Sequence, residues 1–311
     1  MDDFTIALVG PVGSGKTQFA ELLYLTLADL TARGELDGVL NIPVTNNIME
    51  LVDDLISRNL GPSRTLVTKE VAETCFKVKY RTFLGGGRTV KIPVADLSGE
   101  TLKAFMTGVL GQEYFDDEQK RAFLTRQTLS QEDFEVVAET ILNSSGLILC
   151  ANLAYLEDTR TIPADAPAPD PALGTFLAAL AKYKELYPKT RKPRAIAVVL
   201  THYDSGVKSA LLSKNLIFDS KTGHSALIRY VEKRMVSTNG QLEHLQREWG
   251  TDVHFYYSGC EPEVDPITNL PMFDTMMTDR QRFKINEATG RPYYPVEEYT
   301  ALAQWLKRQV V

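Results

Sequence analysis

Residues that build thiol or imidazole sites are scarce in this sequence. Its 311 residues include three cysteines and four histidines, and no two cysteines stand in a CxxC spacing. This pattern disfavours both a thiol zinc site and a disulfide framework. Each cysteine lies in or beside an apolar run, so we expect Cys75, Cys150 and Cys260 to be buried free thiols of a reducing compartment.

An excess of positive charge and long apolar runs are also missing. The chain has 34 Lys and Arg against 40 Asp and Glu, a net charge of −6. This balance disfavours a nucleic-acid partner, which needs a basic face. No apolar run approaches the roughly 20 residues of a membrane-spanning helix, and the N-terminal MDDF lacks the pattern of a signal peptide. We therefore expect a cytoplasmic protein without an integral membrane segment, and nothing in the sequence supports peripheral membrane association.

Short apolar runs alternate with segments of helical periodicity along the chain. The period-two pattern of residues 75–82, followed by a second run at 90–95, predicts a β-hairpin. Buried strands are predicted at 5–9, 147–151, 195–200 and 253–257, and helices at 16–33, 48–56, 173–186, 222–249 and 296–308. The order is typical of a three-layer α/β fold with a mostly parallel sheet, one antiparallel hairpin strand and helices on both faces.

The length and the motif order predict one P-loop domain over residues 1–311. Its predicted insertions are a helical segment at about 101–144 and loops at about 157–171 and 262–293. The ligand site of an open α/β sheet lies at the carboxyl ends of its strands. Motifs that bind a ligand should therefore follow predicted strands directly.

The sequence GPVGSGKT at residues 10–17 matches the phosphate-loop pattern GxxxxGK[ST] between a predicted strand and a predicted helix. Glycines let the backbone curl so that N–H groups point at phosphate oxygens, and the helix N-terminus adds a positive dipole end. Lys16 is predicted to place its charge on the β- and γ-phosphates, and the Thr17 hydroxyl to bind Mg²⁺. The predicted phosphate-binding residues are Gly10, Gly13, Ser14, Gly15, Lys16 and Thr17.

A DxxG sequence ends the second strand of the predicted hairpin. Asp96 can hold Mg²⁺ opposite Thr17. Gly99 can present its backbone N–H to a γ-phosphate because no side chain blocks the approach.

Two more polar sequences follow later strands. THYD at residues 201–204 comes after the strand at 195–200. Asp204 can accept two hydrogen bonds from guanine, and adenine lacks that pair of donors. SGC at 258–260 follows the strand at 253–257. The alternative interpretations are a helix cap for Asp204 and a plain loop for Ser258 and Gly259.

In this order the motifs resemble those of the Ras-like G domain of the translation-factor-related GTPases, over about residues 4–261. The resemblance implies that GTP and GDP are the ligands, that Mg²⁺ is the cofactor and that a protein effector or activating partner exists. It implies Mg²⁺ contacts from Thr17 and Asp96, and a γ-phosphate contact from Gly99. The residues implied to surround guanine are Thr201, His202, Asp204, Ser258 and Gly259.

The sequence departs from the pattern of this family at several positions. His202 stands where the family usually has a Lys that packs over the base and braces the phosphate loop, and Cys260 is unusual in the last motif. Glu100 stands where many members have a Gln or His that orients the attacking water. A glutamate there can accept a proton from water, so Glu100 is a catalytic candidate together with Lys16. Long insertions also separate the motifs.

A first switch should supply a threonine to Mg²⁺ and the γ-phosphate, just before the hairpin. Thr68 is favoured over Thr65 because it lies nearest to the first strand without being part of it. Arg64 is a weaker candidate for an arginine finger in the same chain.

These residues predict a Mg²⁺-dependent GTP-binding protein that hydrolyses GTP slowly to GDP and phosphate and acts as a molecular switch. Two alternatives stay open. One is a P-loop ATPase or kinase, in which Asp204 is only a cap. The other is a pseudo-GTPase scaffold that binds nucleotide without hydrolysis.

Overall fold

The computed structural model describes residues 4–11, 13–35, 38–41, 47–61, 73–81, 87–95, 141–164, 166–186, 188–202, 223–268, 270–276 and 280–310. Its main strands are β1 Phe4–Val9, β2 Gly38–Asn41, β3 Glu73–Arg81, β4 Gly87–Ala95, β5 Gly146–Asn152, β6 Ala195–Thr201 and β7 Asp252–Tyr257. They form one sheet in the order β2-β3-β4-β1-β5-β6-β7.

Most neighbours in this sheet run parallel. β1 pairs in parallel with β4 and β5, β5 with β6, and β6 with β7. β3 runs antiparallel to β4, which confirms the predicted hairpin, and β2 adds an antiparallel edge strand that the sequence pattern did not predict. The predicted fold class, a mostly parallel sheet with an antiparallel hairpin strand, is confirmed.

Helices cover the sheet on both faces. They are α1 Lys16–Ala32, α2 Asn47–Ser57, α3 Leu153–Glu157, α4 Pro169–Leu186, α5 Gly223–Arg234, α6 Val236–Trp249 and α7 Val296–Val310. Side chains alternate along β1, so that Phe4, Ile6 and Leu8 join a core with α1, α2 and α7. Ala7 and Val9 join a second core with α4, α5 and α6. The parallel strands, whose carboxyl ends form the expected site, therefore lie between two packed layers of helices.

The single helix expected over residues 222–249 is instead two helices that break at Met235. The Asp170 carboxylate accepts the backbone N–H groups of Ser237 at 3.2 Å and Thr238 at 2.8 Å. It thereby satisfies two of the donors that the start of α6 leaves unpaired. The cap comes from α4, so no local sequence signal marked this break.

The described residues of 261–284, named the arm below, fall almost entirely in the loop expected at about 262–293. The structure instead pairs them into a small antiparallel meander, with bridges between Pro262 and Phe283, Val264 and Pro271, and Phe273 and Gln281. A fourth bridge joins Leu60, just after α2, to Arg282. The short strands β8 Ile285–Asn286 and β9 Arg291–Pro292 then lead to α7.

Two of the three cysteines bear out the expectation from the sequence. Cys150 and Cys260 are buried free thiols, while the side chain of Cys75 lies outside the described part. Burial raises the pKa of the Cys150 thiol to about 12, so this thiol stays protonated. None of the described helices combines the length and the apolarity that a membrane crossing requires.

Candidate functional site

The phosphate-loop motif lies between β1 and α1, as its pattern requires. Gly13 and Gly15 have φ angles of 72° and 73°, in the left-handed region that favours glycine. A Cβ on Gly10 would lie 2.5 Å from the Ser14 hydroxyl and 2.6 Å from the Cys150 carbonyl oxygen. Three glycines of the motif are thus required by this loop conformation itself.

The side-chain ammonium of Lys16 is held by backbone carbonyls of the phosphate loop. Lys16 is 5% exposed, and its Nζ donates to the carbonyl oxygens of Gly10 at 2.9 Å and Pro11 at 3.2 Å. These bonds fix a positive charge inside the loop, at the N-terminus of α1. Thr17 follows in the first turn of that helix, where it is half-buried.

Two side chains from neighbouring strands brace the loop. Asn152 ends β5 and Thr201 ends β6, and the two residues are partners in the register of these strands. Asn152 Nδ2 donates to the Gly13 carbonyl at 2.8 Å, and the Thr201 hydroxyl donates to the Ser14 carbonyl at 2.6 Å. Two successive loop carbonyls are therefore held by side chains at the carboxyl ends of β5 and β6.

His202 packs against the same loop. It has a φ of 54°, an uncommon conformation for a residue other than glycine. Its Nε2 lies 3.1 Å from the position that a Cβ on Gly15 would take. Burial lowers the pKa of His202 to about 4, so the imidazole is neutral at pH 7. His202 thus reaches the loop, but without the positive charge of the lysine it replaces in the resemblance.

Ser258 and Gly259 are buried at the end of β7. The Ser258 N–H donates to the Leu200 carbonyl at 2.8 Å, and its hydroxyl is 2.5 Å from the hydroxyl of Tyr299 on α7. Tyr299 in turn stacks on Phe19 of α1, with ring centroids 5.5 Å apart. Ser258 therefore connects the segment after β7 to β6 through its N–H and to α7 through its hydroxyl.

Several predicted site residues lie outside the described part of the chain. They are Asp96, Gly99 and Glu100 of the DxxG motif, Thr68 with its alternative Thr65, Arg64, and Asp204. Their roles stay predictions from the sequence. The structure brings together the described residues of 10–17, Thr201 and His202, and it places Ser258 and Gly259 directly after β7, the strand next to β6.

Sequence reasoning missed two residues at the site. Asn152 holds the Gly13 carbonyl, and its Oδ1 also accepts the Ala154 N–H at 2.9 Å, which caps α3. The Tyr155 hydroxyl lies 3.0 Å from the position of a Cβ on Gly13. Asn152 directly follows the predicted strand at 147–151, so the expectation that ligand-binding residues follow strands could have found it.

The described geometry is that of an anion site. Left-handed glycines, a helix N-terminus and a buried lysine converge within one loop, and this combination favours phosphate oxygens. The Ser14 hydroxyl is buried in the loop and has no hydrogen-bond partner in the described structure.

Comparisons with known proteins give only remote likenesses. No protein-family model and no curated protein matches the chain. A solved structure of the signal recognition particle receptor SRb-GTP/SRX complex from Chaetomium thermophilum is 11% identical with a TM-score of 0.30. The match covers 86% of this chain and 94% of that one.

A second solved structure is the S. cerevisiae Ski7 GTPase-like domain bound to GTP, which is 13% identical with a TM-score of 0.31. The match covers 82% of this chain and 42% of that one, so the present chain spans less than half of its length. By its own strand order, the chain has a mostly parallel α/β sheet with the phosphate-loop motif between its first strand and first helix, as the sequence predicted.

Proposed function

We propose that this chain is a Mg²⁺-dependent GTP-binding protein that hydrolyses GTP slowly and works as a molecular switch. The observation that carries the proposal is the braced phosphate loop. Asn152 and Thr201 hold two of its carbonyls, and Thr201 belongs to the sequence THYD, whose Asp204 is the predicted guanine contact. One strand end therefore links the phosphate loop to the predicted base site.

Binding of the phosphates falls to the loop and to α1. The backbone N–H groups and the helix N-terminus attract the negative charge, and Lys16 adds a positive charge that is already fixed by two carbonyls. Because these groups are held in place before binding, little ordering is required when the nucleotide arrives.

The oxygen donors of the predicted metal site fit Mg²⁺, which prefers hard oxygen ligands. Thr17 is the described member, and Asp96 and Thr68 are the members predicted from the sequence. When bound, Mg²⁺ neutralises charge on the β- and γ-phosphates. Thr17 lies one residue after Lys16, so the chain presents a hydroxyl and an ammonium group at the same end of α1.

Selection of guanine is assigned to Asp204, with Thr201, His202, Ser258 and Gly259 around it. The neutral imidazole of His202 offers a flat face for stacking without adding charge. Ser258 has its N–H and its hydroxyl engaged within the protein. We therefore assign Ser258 to holding the loop in place and leave the direct base contact to Asp204.

Hydrolysis is expected to be slow because Glu100 replaces a water-orienting glutamine or histidine and brings negative charge near the γ-phosphate. The same replacement, with the uncharged His202 beside the loop, favours a second candidate function. In that case the protein is a pseudo-GTPase scaffold that binds GTP without hydrolysing it. A turnover assay with radiolabelled GTP separates the two, because intact GTP after long incubation with Mg²⁺ supports the scaffold.

A protein effector or activating partner is part of the proposal. Five of the seven large apolar side chains that are exposed in the described part lie on the arm: Val264, Ile267, Leu270, Phe273 and Met276. Exposed apolar patches of this kind mark interaction surfaces. Two acidic side chains of the arm, Glu261 and Glu263, pair with Lys284 and Arg282 of the same arm, so the partner expected here is a protein with an apolar pocket.

Calorimetric titration with GTP, GDP and ATP, with and without Mg²⁺, tests the main proposal. We expect both guanine nucleotides to bind and Mg²⁺ to strengthen GTP binding. Equal or tighter binding of ATP would instead support the ATPase or kinase alternative. Transfer of phosphate to small acceptors would then identify a kinase.

The substitution Asp204→Asn tests the base. It removes an acceptor for guanine, and loss of a hydrogen bond to a charged group costs about 1.5–3 kcal/mol, or roughly 10- to 150-fold in GTP affinity. Xanthine has an oxygen where guanine has the amino donor, so the variant should gain affinity for xanthosine triphosphate. A ratio of GTP to xanthosine triphosphate affinity within about twofold of wild type would show that Asp204 does not read guanine.

A further inference from the structure

The two left-handed glycines of the phosphate loop are each covered by side chains from a strand end. A Cβ on Gly15 would lie 3.0 Å from the Cβ of Thr201 and 3.1 Å from His202 Nε2. A Cβ on Gly13 would lie 3.0 Å from the Tyr155 hydroxyl and 3.2 Å from a carbon of its ring. The chain at the carboxyl ends of β5 and β6 therefore supplies the cover of both glycines.

Gly13 is also held from a second direction by the segment that carries Tyr155. Asn152 Nδ2 donates to the Gly13 carbonyl at 2.8 Å. The Oδ1 of the same amide accepts the N–H of Ala154 at 2.9 Å, in the first turn of α3. One side chain thus ties Gly13 to the start of the helix in which Tyr155 lies. The four residues 152–155 contact the carbonyl of Gly13 and the side on which other residues have a Cβ.

The far end of α3 is anchored on α5. The Tyr230 hydroxyl donates to the Glu157 carboxylate, and the Arg234 guanidinium lies 3.8 Å from the same carboxylate. Leu156 packs against the second core. A helix of five residues is not stable by itself, so these contacts fix its position. The place of Tyr155 beside the loop is therefore determined by the sheet and by α5.

A constraint on Gly13 matters because glycine adopts positive and negative φ about equally. The φ of 72° at Gly13 is one of several conformations that the residue could take in a loop without neighbours. A different φ would turn the adjoining peptide groups, whose N–H groups are the predicted phosphate donors. Contacts that keep Gly13 in place before the nucleotide arrives remove this ordering from the binding step.

Resting on the proposed function for the identity of the nucleotide, we propose that Tyr155 is a positioning residue for the phosphate loop and acts through Gly13. Its ring lies against the bare side of Gly13 and limits the movement of the loop at that residue. The role concerns the phosphates and not the base. Binding of any ligand that fills the loop with phosphate groups therefore depends on Tyr155.

The test compares Tyr155→Ala, which removes the ring, with Tyr155→Phe, which keeps it. Leu156→Ala is the matched control, because Leu156 is the next residue in α3, is also half-buried and packs against the second core instead. Calorimetry measures the affinity of each folded variant for GDP and for pyrophosphate, which has two phosphate groups and no base. If Tyr155→Ala does not fold, Tyr155→Leu replaces it.

Tyr155→Ala should lose about fivefold or more in affinity for both ligands. Tyr155→Phe should restore both affinities to within about twofold of wild type, and Leu156→Ala should keep them there. Equal losses in Tyr155→Ala and Leu156→Ala would show that α3 is needed only for stability and would overturn the proposal. A loss for GDP alone would place the role on the base side and overturn it as well.

The link to Gly13 has a test of its own in the double variant Gly13→Ala with Tyr155→Ala. The added Cβ meets the tyrosine only while the ring is present, and both changes act on the same residue. The double variant should therefore lose less GDP affinity than the product of the two separate losses, by about twofold or more. Losses that multiply would show that Tyr155 acts elsewhere.

Pyrophosphate separates this proposal from the proposed function. If the wild-type protein binds pyrophosphate but no guanine nucleotide, the proposed function fails, and the pyrophosphate affinities of the same variants decide on Tyr155. If the wild-type protein binds neither ligand, the loop is not a phosphate site and both proposals fail.

Discussion

The Thr201→Val substitution removes one hydrogen bond to the phosphate loop while it leaves the size of the side chain nearly unchanged. Thr201 is 2% exposed, and its hydroxyl donates to the Ser14 carbonyl at 2.6 Å. Without this donor a buried carbonyl stays unpaired, which costs about 1–3 kcal/mol. We expect the free energy of unfolding to fall by this amount. If the whole of this cost appears in binding, affinity for GDP should fall by about 5- to 150-fold, because the loop is no longer held in its binding conformation.

Thr251→Val is the matched control. Thr251 is also buried, and its hydroxyl donates to a backbone carbonyl, that of Pro193, at 3.0 Å. It lies before β7, at the opposite end of the sheet from the phosphate loop. Urea denaturation should show similar losses of stability in both variants, and calorimetry should show weaker GDP binding for Thr201→Val alone. Equal GDP affinities in the two variants would refute a role of the brace in binding.

Three further predictions concern a contact between two helices, the pH dependence of stability and the phosphate loop. Gly174→Ala should lower the free energy of unfolding, measured by urea denaturation, by about 1–3 kcal/mol, because the new Cβ would lie 2.0 Å from the Ser237 hydroxyl and push α4 and α6 apart. The control is Gly240→Ala in the interior of α6, where a Cβ meets nothing within 4 Å. This variant should be neutral or stabilising. Burial raises the pKa of Glu21 to about 8, so the folded chain keeps this proton where the unfolded chain has lost it, and stability should fall as the pH rises from about 4.5 to 8. Glu21→Gln should remove that decline, and a wild-type unfolding free energy that is flat across this range would contradict it. Gly13→Ala should weaken GDP binding, since a φ of 72° costs an alanine about 1–2 kcal/mol, and titration at unchanged secondary structure measures the loss.

The phosphate loop could be predicted because its requirements are local. Each glycine serves a turn or a close approach within a few residues, and the strand before and the helix after the loop have clear apolar patterns. The same holds for the hairpin β3–β4, whose alternation shows in the sequence. Its neighbour β2 has only four residues, Gly38–Asn41, too few for a pattern to distinguish a strand from a loop.

The misread segments depend on contacts between distant residues. The break at Met235 is stabilised by Asp170, which lies 67 and 68 residues before the two N–H groups that it accepts. Both halves of that stretch have helical periodicity, so the sequence favoured one helix. The arm is held by isolated bridges of one residue pair each, and two of the paired residues are prolines, Pro262 and Pro271. Pairing with residues 59–61 stabilises it, and periodicity carries no information about such a pairing.

The register of the sheet is part of the nucleotide site. Asn152 and Thr201 are register partners at the ends of β5 and β6, and they hold the successive carbonyls of Gly13 and Ser14. Because side chains alternate between the faces of a sheet, a slip of one residue in either strand would turn its bracing side chain to the other face. The buried apolar residues of β5 and β6, which fix that register, therefore also fix the loop. For this reason a chain that no protein-family model matches can still present a well-formed phosphate site.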